Sequence, residues 1–175
     1  MSKPTSSSAA LPIAHVVLRI LVVMNWLMAV VIFVLLFVAP NEQWIMSSFN
    51  LSPSPDAARL VLGLRSIAVL GLVAIPLNYV VLKRLLAIVE TVRSGDPFVA
   101  ANADRLQTIA WALFLLQVLS IIIGAIARSI SSPAHPIHMD AGFSVNGWLA
   151  VLLTFLLARV FAEGTLMRDD LEGTV

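Results

Sequence analysis

Four long apolar runs, separated by short polar segments, organise this chain. The first, Ile13 to Ala39, is interrupted only by His15, Arg19 and Asn25. As a helix it reaches about 40 Å at 1.5 Å per residue, enough to cross a bilayer with some tilt. The second, Ala57 to Leu82, follows Asp56 as an N-cap candidate and contains Pro76, which predicts a kink rather than a break. The third covers residues 107–127 and the fourth residues 143–162, the latter near the minimum crossing length. The pattern predicts an all-α fold, a four-helix transmembrane bundle in one membrane domain over residues 13–175. Residues 1–12 (MSKPTSSSAALP) are small, polar and proline-punctuated, and read as a flexible tail.

Helical spacing does not stop where the apolar runs do. Leu82, Leu85, Leu86, Val89 and Val92 keep it beyond Lys83 and Arg84, with Glu90 and Arg93 on the other face. Gly95 suits a helix C-terminus, Asp96 the next N-cap and Pro97 a first helical position. Residues 83–106 therefore predict a helical hairpin standing outside the bilayer, with Phe98 clamping its two helices. Val160, Gly164, Met167 and Leu171 likewise share a face, and predict that the last helix continues through residues 163–172. Its acidic tip (Asp169, Asp170, Glu172) is a candidate to meet the basic Lys83, Arg84 and Arg93.

Composition fits this picture. The 175 residues are 59% apolar and 12% charged, against about 25% charged in soluble domains, and mean hydropathy is +0.96. A net charge of +1 gives no bias towards nucleic acid. The absence of cysteine excludes thiol redox chemistry and thiolate metal sites. Lys3, Arg19, Lys83, Arg84, Arg93, Arg105, Arg159 and Arg168 fall on one side of the predicted spans, and Arg59 and Arg128 on the other. That asymmetry places both termini and the hairpin in the cytoplasm, as a multi-pass protein of a bacterial inner membrane.

Candidate chemistry is sparse. Arg65 lies about nine residues into the second span, too deep for an easy snorkel, and needs a partner among Gln117, Ser120, Glu42 and Asp140. A lock between helices is the favoured reading over a substrate site. Asn25 and Gln117 sit near the middle of the first and third spans, where they could bond across the bundle as packing glue. His135, His138 and Asp140 have a metal-ligand spacing, but Pro133 and Pro136 make a solvated loop of that segment. No phosphate loop, nucleophile elbow or intramembrane carboxylate pair occurs, so neither an enzyme, a cofactor nor a metal is expected.

Two stretches, GDPFVAANADRLQ at 95–107 and LARVFAEGTLMRDDLEGTV at 157–175, resemble the bacterial domain of unknown function 2975 family. Gly95, Pro97, Phe98, Asn102, Arg105 and Leu106 fit its turn pattern, and Val160, Phe161, Gly164 and the closing acidic stretch fit its tail. Gly173 departs from it, standing where a second apolar residue is the pattern. The resemblance implies a four-helix membrane protein without an established activity, encoded beside a small helix-turn-helix regulator of the Xre type. A non-enzymatic regulator that docks such a protein is the leading expectation. Gly95, Pro97, Phe98, Asn102, Arg105, Phe161 and Gly164 are its candidate partner-binding residues. The lipid bilayer and a second copy of the chain are the other candidate partners. The rival reading is a small transporter or channel component, or a subunit of a larger membrane complex, with Arg65, Asn25 and Gln117 lining a path.

Overall fold

The computed structural model describes residues 7–38, 47, 55–131 and 140–172. Four helices carry them: α1 (Ser7–Val38), α2 (Pro55–Arg93), α3 (Ala100–Ile130) and α4 (Val145–Glu172). All four are long and apolar enough to cross a membrane, so the all-α, four-span expectation is met and the architecture is that of a multi-pass membrane protein. In the most apolar stretch of α1, with mean hydropathy 2.9, no residue is buried by protein. Water would be a poor solvent for that surface, and lipid a good one. The 39 residues of α2 make a rod of about 58 Å, nearly twice the hydrocarbon thickness of about 30 Å. One end must therefore project, as its apolar spacing beyond Lys83 predicts.

The helices run up and down in chain order. Among the described residues, close backbone approach occurs only between α1 and α2, α2 and α3, and α3 and α4. On α1 the half-buried positions Leu11, His15, Leu18, Val22, Asn25, Ala29, Ile32 and Leu36 recur every three or four residues. This is the seam by which one helix lies along another. Ile32 packs over Gly71 of α2, and Trp26 meets Tyr79 edge to face at 5.6 Å. The central helix α3 buries Ala103, Ala110, Ala112, Gly124 and Ala127 against its neighbours. Small residues are needed there because in lipid the attraction between helices is close van der Waals contact, not hydrophobic expulsion.

Several boundaries differ from expectation. Of the segment 1–12 expected as a tail, residues 7–12 lie in α1, at the loss of the one backbone bond that Pro12 cannot donate, and residues 1–6 lie outside the described residues. α2 begins at Pro55, which puts Asp56 inside the first turn rather than at the cap. It continues through Pro76 without a break, as expected. At the far end from the hairpin, Ser120 Oγ accepts from Gly142 N at 3.1 Å and donates to Gly142 O at 3.3 Å. This seats the segment before α4 directly on α3. His135 and His138 lie outside the described residues, while Asp140 is exposed.

Glycine is required at Gly124, where a Cβ would collide with the Ala141 carbonyl. By contrast, a Cβ at Gly71 would make ordinary contact with Ile32 Cδ1 at 3.5 Å. Gly124→Val is expected to destabilise the protein by about 2–3 kcal/mol through overpacking, and Gly71→Ala by under about 1 kcal/mol. Unfolding in mixed micelles checks the contrast, and equal midpoints for the two variants would contradict this packing.

Candidate functional site

The polar specificity of the molecule is concentrated where α2 turns into α3. Ser94, Gly95 and Asp96 close α2 in a Schellman arrangement: Gly95 N donates to Val92 O at 3.2 Å and Asp96 N to Thr91 O at 3.1 Å. Gly95 has φ +87°, a left-handed conformation that any Cβ would strain. The expected second half of the turn is different. Asp96 is not the N-cap of α3 and Pro97 is not in its first turn. The cap is Val99, which has extended backbone and no side-chain cap bond. The local capping preference of Asp96 loses to a long-range one, because its carboxylate accepts from the guanidinium of Arg168, 72 residues away.

Asn102, wholly buried, organises the rest of the turn. Its Nδ2 donates to Thr91 Oγ1 at 2.8 Å and to Pro97 O at 2.8 Å. Its Oδ1 accepts from Arg105 NH1 at 2.7 Å. Thr91 Oγ1 passes its own proton to Ile88 O at 2.8 Å, and Arg105 NH1 also reaches Ala87 O at 3.3 Å. Donors and acceptors alternate correctly along the chain Arg105, Asn102, Thr91, Ile88, so the buried amide uses both of its N–H bonds and its oxygen.

Phe98 does not clamp α2 to α3 as its sequence position suggests. It stacks on Phe161 of α4 with ring centroids 5.4 Å apart, and Gly164 leaves room for its edge, a Cβ there lying 3.6 Å from Phe98 Cδ1. Arg168 also donates to Phe98 O at 3.3 Å. The two stretches that carry the family resemblance therefore meet in space. Gly95, Pro97, Asn102 and Arg105 build the turn, and Phe98, Phe161 and Gly164 dock α4 onto it.

Between the hairpin and the last helix the described ion pair has its acid, Asp96, in the turn and its base, Arg168, on α4. Arg93 is engaged with Glu90 on its own helix at 3.3 Å, Lys83 lies over the Tyr79 ring at 5.6 Å, and the side chains of the acidic tip lie outside the described residues. His15 Nδ1 stands 3.6 Å from Glu90, which puts the start of α1 at the same end as the turn and the end of α4.

The intramembrane polar residues do not converge in the expected way. Asn25 Nδ2 donates to Ile75 O of α2 at 3.2 Å, next to Pro76, and not to Gln117. The Gln117 amide packs on Gly147 of α4, in the space that a Cβ there would take unless the amide moved. These are separate helix pairs, because α1 has close backbone approach only to α2. Of the partners proposed for Arg65, Ser120 is engaged with Gly142. Arg65 itself is half-buried and partnered.

Asn102→Ala leaves Pro97 O, Thr91 and Arg105 short of a partner and is expected to cost about 2–3 kcal/mol. Arg168→Ala breaks a half-exposed ion pair, expected to cost at most about 1 kcal/mol. Thermal unfolding of the two variants in the same detergent decides the order; a larger loss in Arg168→Ala would reverse the hierarchy proposed for the turn.

No curated protein and no solved structure matches the chain. The family model described as protein of unknown function (DUF2975) matches residues 11–175, which include both the turn and the α4 seat. By that match over nearly its whole length, the chain belongs to the DUF2975 family.

Proposed function

We propose that the protein is a non-enzymatic regulator of a bacterial inner membrane, whose hairpin end faces the cytoplasm and docks a soluble helix-turn-helix transcription regulator. The observation that carries this reading is exposed apolar surface on α4 beyond the charged residues that follow its longest apolar stretch. Leu166 is 64% and Met167 62% exposed. They lie past Arg159 and Glu163, an exposed ion pair at 2.8 Å on the same helix. Exposed apolar side chains in a polar surround are the usual mark of a protein contact. The orientation rests on the eight-to-two distribution of lysine and arginine, which favours the hairpin end as the cytoplasmic one.

The division of labour between residues is sharper than the motif alone implies. Asn102 is buried, and Arg105 and Phe161 are half-buried, with the contacts described above, so they shape the platform. Leu166, Met167 and the 46%-exposed Phe98 are available to a partner. A partner held there is kept from DNA by attachment to the membrane, and release would need a change in the platform and no chemistry on a substrate.

Co-purification with a small Xre-type helix-turn-helix regulator from the same bacterium tests the reading. Leu166→Glu/Met167→Glu is expected to reduce recovered partner about tenfold or more, because each substitution places a carboxylate at the contact. Helicity by circular dichroism should be unchanged. Undiminished recovery in that variant, or no recovery with the wild type, would end the proposal.

A further inference from the structure

Between α3 and α4, just below the turn, lies a cleft of about 230 Å³ lined by Ala103, Asp104, Gln107, Phe155, Ala158 and Arg159, with Ala162 at its lip. Ala103 and Ala158 are buried and form its floor, so the cleft exists because the facing residues of the two helices are alanines. Its walls are amphipathic along the helix axis. On α3, Asp104 and Gln107 are the last exposed polar side chains before the apolar stretch that carries Trp111, Leu115 and Val118. On α4, Arg159 is the first charge after the apolar stretch from Trp148 to Ala158. The cleft therefore sits at the level where hydrocarbon gives way to headgroups. Phe155 continues it into the apolar zone and meets Trp111 edge to face at 5.4 Å.

The two charged walls are not closed on each other. Among the described residues Arg159 pairs with Glu163 on its own helix, Nε to Oε1 at 2.8 Å, and not across the cleft with Asp104. An ion pair through Nε leaves the terminal guanidinium nitrogens, the fork that recognises phosphate oxygens. The opposite wall offers a carboxylate, an acceptor for a primary ammonium. A volume of about 230 Å³ is below the usual range of about 300–1,000 Å³ for whole small-molecule sites, and suits a headgroup whose tails remain in the bilayer.

We propose that this cleft binds a zwitterionic phospholipid carrying a primary ammonium, a phosphatidylethanolamine. Its phosphate lies against Arg159 and Gln107, its ammonium against Asp104, and one acyl chain lies along Phe155 and Trp111. Charge decides against an anionic lipid, since Arg159 is already paired with Glu163 on its own helix and shares the cleft with the carboxylate of Asp104. Hydrogen bonding decides against a choline headgroup, whose quaternary nitrogen has no N–H to donate to Asp104. The proposal is independent of any soluble partner, and requires only that the chain be in a bilayer.

Native mass spectrometry of the full-length, detergent-solubilised protein tests it, with palmitoyl-oleoyl phosphatidylethanolamine, phosphatidylcholine and phosphatidylglycerol as probes. Loss of one charge-assisted hydrogen bond corresponds to about tenfold, so the ethanolamine lipid should be retained at about tenfold lower concentration than the choline lipid. Asp104→Asn should abolish that preference, and Arg159→Gln should weaken retention of both lipids alike. Arg93→Gln, outside the cleft, should change nothing. Equal retention of the ethanolamine and choline lipids by the wild type, a preference for the glycerol lipid, or a preference that persists in Asp104→Asn would each overturn the assignment.

Discussion

The buried amide of Asn102 is the constraint on which the hairpin end depends. A helical hairpin brings together two sets of orphan backbone groups, the last carbonyls of one helix and the first N–H groups of the next. Here the first set is largely met by the backbone itself, through Gly95 and Asp96. In the turn between them Val99 O accepts from Asn102 N and Phe98 O from Arg168, while Pro97 O is met by a side chain. Asn102 supplies that side chain from one turn into α3, holding Pro97 O with one N–H and Thr91 with the other. Because both partners are fixed relative to α2, a single side chain sets the direction in which α3 departs.

That direction then positions α4. Only chain neighbours approach closely among the described helices, so α4 has no direct backbone contact with α2 to set its depth. The turn provides the connection: Phe98 on Phe161, Gly164 making room, and Asp96 accepting from Arg168. The ion pair is half-exposed and contributes little by itself. The stacked rings mark the register, and a Cβ at Gly164 would lie within ordinary contact range of the Phe98 edge. Shape decides the fit and charge orients it.

The fold was legible in the chain because the bilayer imposes a strong pattern: the spans, the projecting end of α2 and the glycine at the C-terminus of α2 all follow from local periodicity and turn chemistry. What escaped was whatever depends on which helices are neighbours. Asn25 and Gln117 have matching depth, and depth can be counted from sequence, but among the described residues α1 approaches only α2 closely and the two amides serve different helix pairs. Asp96 beside Pro97 is a standard capping signal, and it failed because the carboxylate is engaged by a guanidinium 72 residues later. Asn102 gave one available signal, an amide among Ala103, Leu106 and Ala110 on an apolar face. A buried polar group in such a place must be bonded, and its partners must lie across the turn.

The same reasoning explains why specificity gathers at one end of the molecule. Within hydrocarbon, a contact between helices competes with equally apolar lipid, so small residues and the occasional amide are what distinguish one pairing from another. At the hairpin end the helices leave lipid, water competes for every polar group, and only buried or multiply bonded groups hold a unique geometry. Asn102 is buried, Arg105 is bonded to both Asn102 and Ala87, and Phe98 is fixed by a ring, a glycine and a guanidinium. A surface resting on these groups is held rigid without help from the membrane. Leu166 and Met167, a little over two turns beyond the last buried residue of the α4 span, Ala158, and beside the buried Thr165, inherit that rigidity. They form the part of the platform that can be recognised without cost to the fold.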